Sequence, residues 1–360
     1  MRSRIIPLLA TAATAAAVAT SGGAASAATA PGTYNVLAGL NGPRGVVHID
    51  RYKSLISLAD GTLRLAQEHR SRAATVTTLT AVGGGGDFAV DQGPHHTTWL
   101  LTGGAAPDAP GGTAAGAATL YKWKKTFAKP HAFANIAAYQ AKDPDPDNLK
   151  DGPATESNPY GVKALADGSV LVADAANNDV LHVSKDGAIS TVARLKPRMV
   201  AAPGGKLVPS EAVPTSVAVG PGGDWYVGEL RGGPGTAGTS QIWRIKHGAT
   251  NAVCDPAKPN QGDCRRFADG LSAIVGLDSY REGSLYAVSL SKAGLAGLEG
   301  PKPDPVGGVF RVRSGAGRSV EVATGHRFLV PGGISVAKNR LYVTDHSLIP
   351  KDGRLVSIPR

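Results

Sequence analysis

The sequence predicts an all-β fold, a six-bladed β-propeller, from three observations. A unit of short strands recurs along the chain, DG and GG turns separate those strands, and no segment sustains a helical period. Composition agrees. The 360 residues are 42% hydrophobic, more than a disordered chain carries, and the 47 Gly and 25 Pro follow no collagen period. Charged residues at 18% are too sparse for a long coiled coil, and 2 Cys cannot build a disulfide-dense scaffold. The length is ample for a buried core.

The clearest unit is NPYGVKALADGSVLVADAANNDVLHVSKDGAISTVARL, 158–195. It has an apolar strand, a tight turn, the strand SVLVAD and two further strands. The order repeats in VPTSVAVGPGGDWYVGEL (213–230) with SQIWRIKHG (240–248), and in AIVGLDSYREGSLYAVSL (273–290) with GGVFRVRSGAGRSVEVATG (307–325). A partial copy is VPGGISVAKNRLYVTDHSLIPKDGRLVSIP, 330–359. Two earlier copies are more worn. GPRGVVHI (42–49), SLISLADG, TLRLAQE and ATVTTLTAV make one; DFAVD (87–91), TTWLLTGG, ATLYKWKK and HAFANIAAY make the other. First strands then start near Gly45, Asp87, Gly161, Thr215, Ile274 and Gly333, as blades with loop insertions do. A five- or seven-bladed ring is the competing count, because the first two units are degenerate. The sixth unit runs out after its third strand. YNVLAGL (34–40) is expected to complete it, closing the ring and removing open sheet edges.

Residues 1–27 read as a signal peptide, ahead of one propeller domain over 28–360. Arg2 and Arg4 precede an Ala-rich apolar run, and Ala25-Ser26-Ala27 forms a small-residue cleavage site. The run is short for a membrane span of roughly 20 residues, and no second long apolar run occurs. The expectation is a secreted protein without a membrane span, cleaved near Ala27. In that setting Cys254 and Cys264, enclosing DPAKPNQGD, are expected to form a structural disulfide. Their spacing fits neither CxxC nor a zinc pattern.

In a propeller, inner strands begin and second strands end on the same face. The long insertions 103–116, 231–238 and 291–308 join second to third strands, and 141–157 and 196–213 join outer to next inner strands. All five therefore fall on one face, where binding residues tend to sit. At the channel mouth on that face the register puts Arg44, Asp87, Asn158, Tyr160 and Thr215 at inner-strand starts. Asp174, Glu229 and Asp345 come at second-strand ends, with His346 beside the last and Glu156 just ahead of Asn158. Such carboxylates, amides and hydroxyls can hold calcium or a sugar. The plainer reading has them hydrogen-bonding strand ends and trapped water.

Other motif matches lack their context. GPGTAG (233–238) fits GxGxxG, but a strand follows it and Pro234 interrupts it. Ser289-Leu290-Ser291-Lys292 fits SxxK without SDN or KTG partners. His95-His96 is a polar turn, and no residue carries a catalytic signature. In KWKK (122–125), Tyr121 and Trp123 share one strand face and Lys122 and Lys124 the other, as a half-buried strand requires. No nucleic-acid partner is expected, although the net charge of +10 favours attraction to an anionic cell wall.

GPRG (42–45), ESNPYGVKALADGSVLVADAANNDVLHV (156–183), VPTSVAVGPGGDWYVGEL (213–230) and PGGISVAKNRLYVTD (331–345) together resemble the ScyD/ScyE family of exported propeller-like proteins. The resemblance covers most of the mature chain and is strongest over 156–230. The wider group looks like the NHL and SMP-30/gluconolactonase propellers, which include metal-dependent lactonases and pure binding modules. By that resemblance Glu156 and Asn158 lie where acidic and Asn metal ligands sit, without a complete ligand set. The function expected is a secreted, monomeric binding module for a glycan, small molecule or secreted protein. The alternatives are a metal-assisted hydrolase, lactonase or lyase at the channel mouth, and a structural subunit of an extracellular complex.

Overall fold

A computed structural model describes residues 34–82, 88–104, 116–149, 152–280, 283–322 and 325–360. The leader expected over 1–27, Asp87, and 105–115 of the first insertion lie outside them.

Six antiparallel sheets follow one another around a ring. Blade 1 comprises Pro43–Asp50, Lys53–Leu58, Thr62–Gln67 and Thr75–Ala81, and blade 2 Phe88–Gln92, Thr98–Thr102, Thr119–Trp123 and His131–Asn135. Blade 3 has Pro159–Ala164, Val170–Asp174, Asp179–Val183 and Ile189–Leu195, and blade 4 Pro214–Val219, Trp225–Glu229, Ser240–Ile245 and Cys264–Leu271. Blade 5 is Ile274–Ser279, Leu285–Ser289, Gly308–Arg311 and Val320–Glu321. Blade 6 takes Ile334–Val336, Arg340–Asp345 and Gly353–Pro359, and its outer strand is Tyr34–Leu40 from the start of the ring. That strand pairs antiparallel with Gly353–Pro359, Tyr34 facing Ser357 and Leu40 facing Gly353. The ring has six blades, closed as the sequence predicts.

Alternation along the strands puts apolar side chains into the seams between sheets. One cluster fills each seam: Leu55, Leu63, Phe88, Leu100 and Trp123 lie between blades 1 and 2, and Trp225, Val227, Trp243 and Val192 between blades 3 and 4. Around the axis the inner strands approach so closely that glycine is required. A Cβ on Gly161 would lie 2.6 Å from the Thr215 carbonyl oxygen, and one on Gly333 2.5 Å from that of Arg44.

Three departures from strand-only expectations occur in the connections. HAFANIAAY is not one strand: after Asn135 the chain turns into a short helix, Ile136–Gln140, because the Asn135 side chain accepts from the Ala138 amide as an N-cap. A second short helix, Gly294–Leu298, lies within the 291–308 insertion. The 196–213 insertion forms its own two-stranded ladder, Arg198–Ala201 with Leu207–Ser210.

The blade edges are also elaborated. Ala252–Cys254, from the third-to-outer connection of blade 4, adds in parallel to the outer strand of blade 3. Gly315–Ala316 of blade 5 does the same for blade 4. The Cys254–Cys264 disulfide forms, with a Cα–Cα distance of 5.0 Å. It ties the strand added to blade 3 to the outer strand of blade 4.

Candidate functional site

The strand register places the long loops on one face, the loop face, and most short hairpins on the other, the turn face. Arg44, Tyr160 and Thr215 converge on the axis near the loop face. Arg44, from the start of the blade 1 inner strand, reaches across to blade 3. Its Nη2 donates to the Tyr160 carbonyl oxygen at 2.7 Å, and its guanidinium carbon stands 3.8 Å from the Tyr160 ring centroid. Thr215 Oγ1 donates to the Ile274 carbonyl oxygen at 2.6 Å, linking blade 4 to blade 5. Ser57 to the Phe88 carbonyl (2.5 Å) and Thr344 to the Arg44 carbonyl (2.9 Å) repeat this hydroxyl-to-next-blade bond.

Below Arg44 lies a cavity of about 80 Å³, lined largely by glycine and apolar inner-strand residues such as Gly161, Val162, Gly276 and Ile334. Pockets for drug-sized ligands run to roughly 300 Å³ or more. The cavity suits a few water molecules; anything larger has to bind at the mouth.

The second-strand carboxylates face away from the axis into the loop bases. Asp174 accepts from Ser157 Oγ (2.6 Å), the Asn158 amide (2.7 Å) and Gln140 Nε2 (3.3 Å). Burial raises its pKa, against the hydrogen bonds from Ser157 and Asn158. Glu229 is fully buried; it pairs with Arg231 and accepts from Trp243 Nε1 (2.6 Å) and the Gln241 amide (3.1 Å). Burial raises Glu229 too, opposed by the Arg231 charge. Asp345 bonds His326 Nε2 (2.9 Å) and the amides of Leu329 and His346 (both 2.9 Å). Asn158 Oδ1 accepts from the Gly104 amide at 2.9 Å, and the Glu156 carbonyl accepts from Asn177 Nδ2 at 3.2 Å. Of the candidates among the described residues, Arg44, Tyr160 and Thr215 meet at the mouth, while His346 turns to Asp352, its Nδ1 2.6 Å from the carboxylate. Asp174, Glu229, Asp345 and Asn158 hold the bases of the loops around it, and the Glu156 backbone is part of that framework. Among the described residues no group of three or more His, Cys, Asp and Glu side chains is arranged to hold a metal ion.

Sequence reasoning missed a charged group at the turn-face end of the channel. Lys163 Nζ, from blade 3, stands 3.1 Å from Asp278 Oδ1 of blade 5 and 3.5 Å from Asp91 Oδ2 of blade 2. Asp91 also accepts from the Ala164 amide, and Asp278 from the Val336 amide, both at 2.8 Å. Burial pulls the Lys163 ammonium down, but the Asp278 and Asp91 carboxylates outweigh it and hold it above the usual lysine range. The signal was present: each is a lone charge near the end of an otherwise apolar inner strand, FAVD, PYGVKA and IVGLD.

No family model matches the chain, and no curated protein sequence is similar to it. Solved structures resemble it in fold. Superposed on the PQQ-bound aldose sugar dehydrogenase of Streptomyces coelicolor it gives a TM-score of 0.56 at 12% identity, covering 91% of this chain and 97% of that one. A putative glucose dehydrogenase of Thermus thermophilus gives 0.55 at 16% identity, over 90% and 98%. A gluconolactonase of Xanthomonas campestris gives 0.53 at 14%, over 91% and 89%. These likenesses show the fold alone, a six-bladed β-propeller.

Proposed function

We propose that this propeller is a secreted binding module whose ligand docks at the loop-face mouth of the channel, against Arg44 and Tyr160. The observation that carries the reading is the Arg44–Tyr160 pair, set over a cavity too small for a drug-sized ligand and rimmed by loops that buried carboxylates hold in place. Candidate ligands are an extracellular glycan, a small molecule or a secreted protein, and the Arg44 charge favours one bearing an acidic group. The leader-like 1–27 and the disulfide support export, and the segments 156–183 and 331–345 support a place beside the ScyD/ScyE proteins. The test is a screen of the mature protein against a glycan array and small carboxylates, followed by calorimetric titration of each hit. Arg44→Gln is expected to weaken binding about tenfold or more, the worth of one charged hydrogen bond, and circular dichroism separates that loss from a lost fold. Failure of the wild type to bind any member of the screen would overturn the reading.

A second reading, a hydrolase or lyase, draws on the Asp91–Lys163–Asp278 group, which holds a proton inside the channel. It requires turnover of a lactone or ester that Lys163→Met abolishes.

A further inference from the structure

We infer that the turn face of blades 1 and 2 is a docking surface for a linear, phosphate-bearing polyanion, independent of the channel mouth. Three turns build it: 50–53 and 68–72 of blade 1, and 122–131 of blade 2. Together they carry eight Lys and Arg (residues 51, 53, 70, 72, 122, 124, 125 and 129) against two acids, Asp50 and Glu68. That excess of six is more than half of the chain's net +10.

The turns form one surface because they are tied together. The Tyr52 carbonyl accepts from the Glu68 amide at 2.8 Å, joining the two blade 1 turns. Phe127, from the blade 2 turn, packs into the seam beside Val47, Ile49, Leu65 and Leu79 of blade 1.

The surface stands out by the density of its bases, most of which no carboxylate offsets. Several arginines elsewhere are matched to carboxylates, Arg194 to Asp143, Arg198 to Asp269, Arg244 to Asp224 and Arg354 to Asp352. Here the arginines' partners are not carboxylates. Arg70 Nε bonds the Tyr52 hydroxyl at 3.0 Å, and Arg51 and Arg70 flank the Tyr52 ring at 5.3 and 5.9 Å. Arg72 lies 3.4 Å from His69 Nε2. Among the described residues none of Arg51, Arg70, Arg72, Lys125 and Lys129 has a carboxylate partner, and all five are exposed. Their charge is presented, not cancelled. Guanidiniums oriented by an aromatic ring suit the forked oxygens of phosphate, and lysines alongside extend the track for a chain of them.

Binding of the mature protein to long-chain inorganic polyphosphate, measured at two salt concentrations, tests the assignment. The triple variant Arg51→Glu/Arg70→Glu/Lys125→Glu is compared with a loop-face control of equal charge change, Lys206→Glu/Lys302→Glu/Lys351→Glu. Wild type is expected to bind and to weaken steeply with salt through counterion release. The turn-face variant should lose about tenfold or more in affinity, while the control stays within about twofold. Equal losses in both variants would mean a response to net charge alone and overturn the assignment. So would absence of binding, or binding confined to vesicles of anionic phospholipid. Circular dichroism of both variants distinguishes a lost site from a lost fold. The test does not involve Arg44, so its failure leaves the channel reading standing.

Discussion

Glu229 shows how much depends on where a side chain points. Its position at a second-strand end is legible from the repeat, but its partners Trp243 and Gln241 come from the next strand and Arg231 from the loop between. Alternation along one strand does not encode those partners. Removing the carboxylate would leave the Arg231 charge buried and unmatched. Glu229→Leu is therefore expected to cost about 3–5 kcal/mol, read as a fall in the denaturant midpoint. Asp179 carries a different consequence. Burial first, and then the neighbouring Asp174 charge, hold its pKa well above the usual carboxylate range. The folded state thus binds this proton more tightly than the unfolded chain, whose Asp titrates near 4. Stability from this group is present in acid and lost as pH rises from about 4 through the raised folded value. Asp179→Asn removes that loss. Gln140, whose Nε2 now donates to both Asp179 oxygens at 3.0 and 3.1 Å, can turn its amide to accept from the new Asn. The melting temperature of Asp179→Asn relative to wild type should therefore climb across that pH range and then level. A difference that is constant with pH would count against buried protonation.

At the level of elements, strands and hairpins were readable because their period and turn residues are local. At Asp167-Gly168, the Asp167 carboxylate accepts from the Ser169 amide at 3.0 Å while Gly168 takes φ +92°, so the turn is written in two residues. The connections were less readable. Nothing within 196–213 shows that it pairs with itself, and the parallel addition of Ala252–Cys254 to blade 3 joins strands some sixty residues apart in sequence. The disulfide was predicted as a short-range loop closure, and it is one, but its structural consequence is to hold that added strand. Replacing both Cys254 and Cys264 by Ser is expected to cost about 3 kcal/mol in the chain-entropy account. Hydrogen exchange should locate the change, with protection lost first over Ala252–Cys254 while the inner strands of blades 3 and 4 keep theirs.

For the molecule as a whole, the six-unit repeat was sufficient to predict the ring, because each sheet must bury both faces against its neighbours. The distribution of charge over the ring was not legible. It emerges only when turns distant in sequence are collected onto one face. Deleting Tyr34–Leu40 should expose the outer edge of Gly353–Pro359, and association into oligomers is the expected outcome on size exclusion. The pairing of that strand also has a consequence in time. Tyr34–Leu40 is made early, yet its partner does not exist until residue 359 has been added. During synthesis the earlier blades can stack one on another, but the first blade waits without a neighbour on one side. Final docking then joins segments more than three hundred residues apart, a contact of the greatest sequence separation this fold allows and the slow kind to form. Refolding should accordingly show blade-like structure well before the seam between blades 6 and 1 becomes protected.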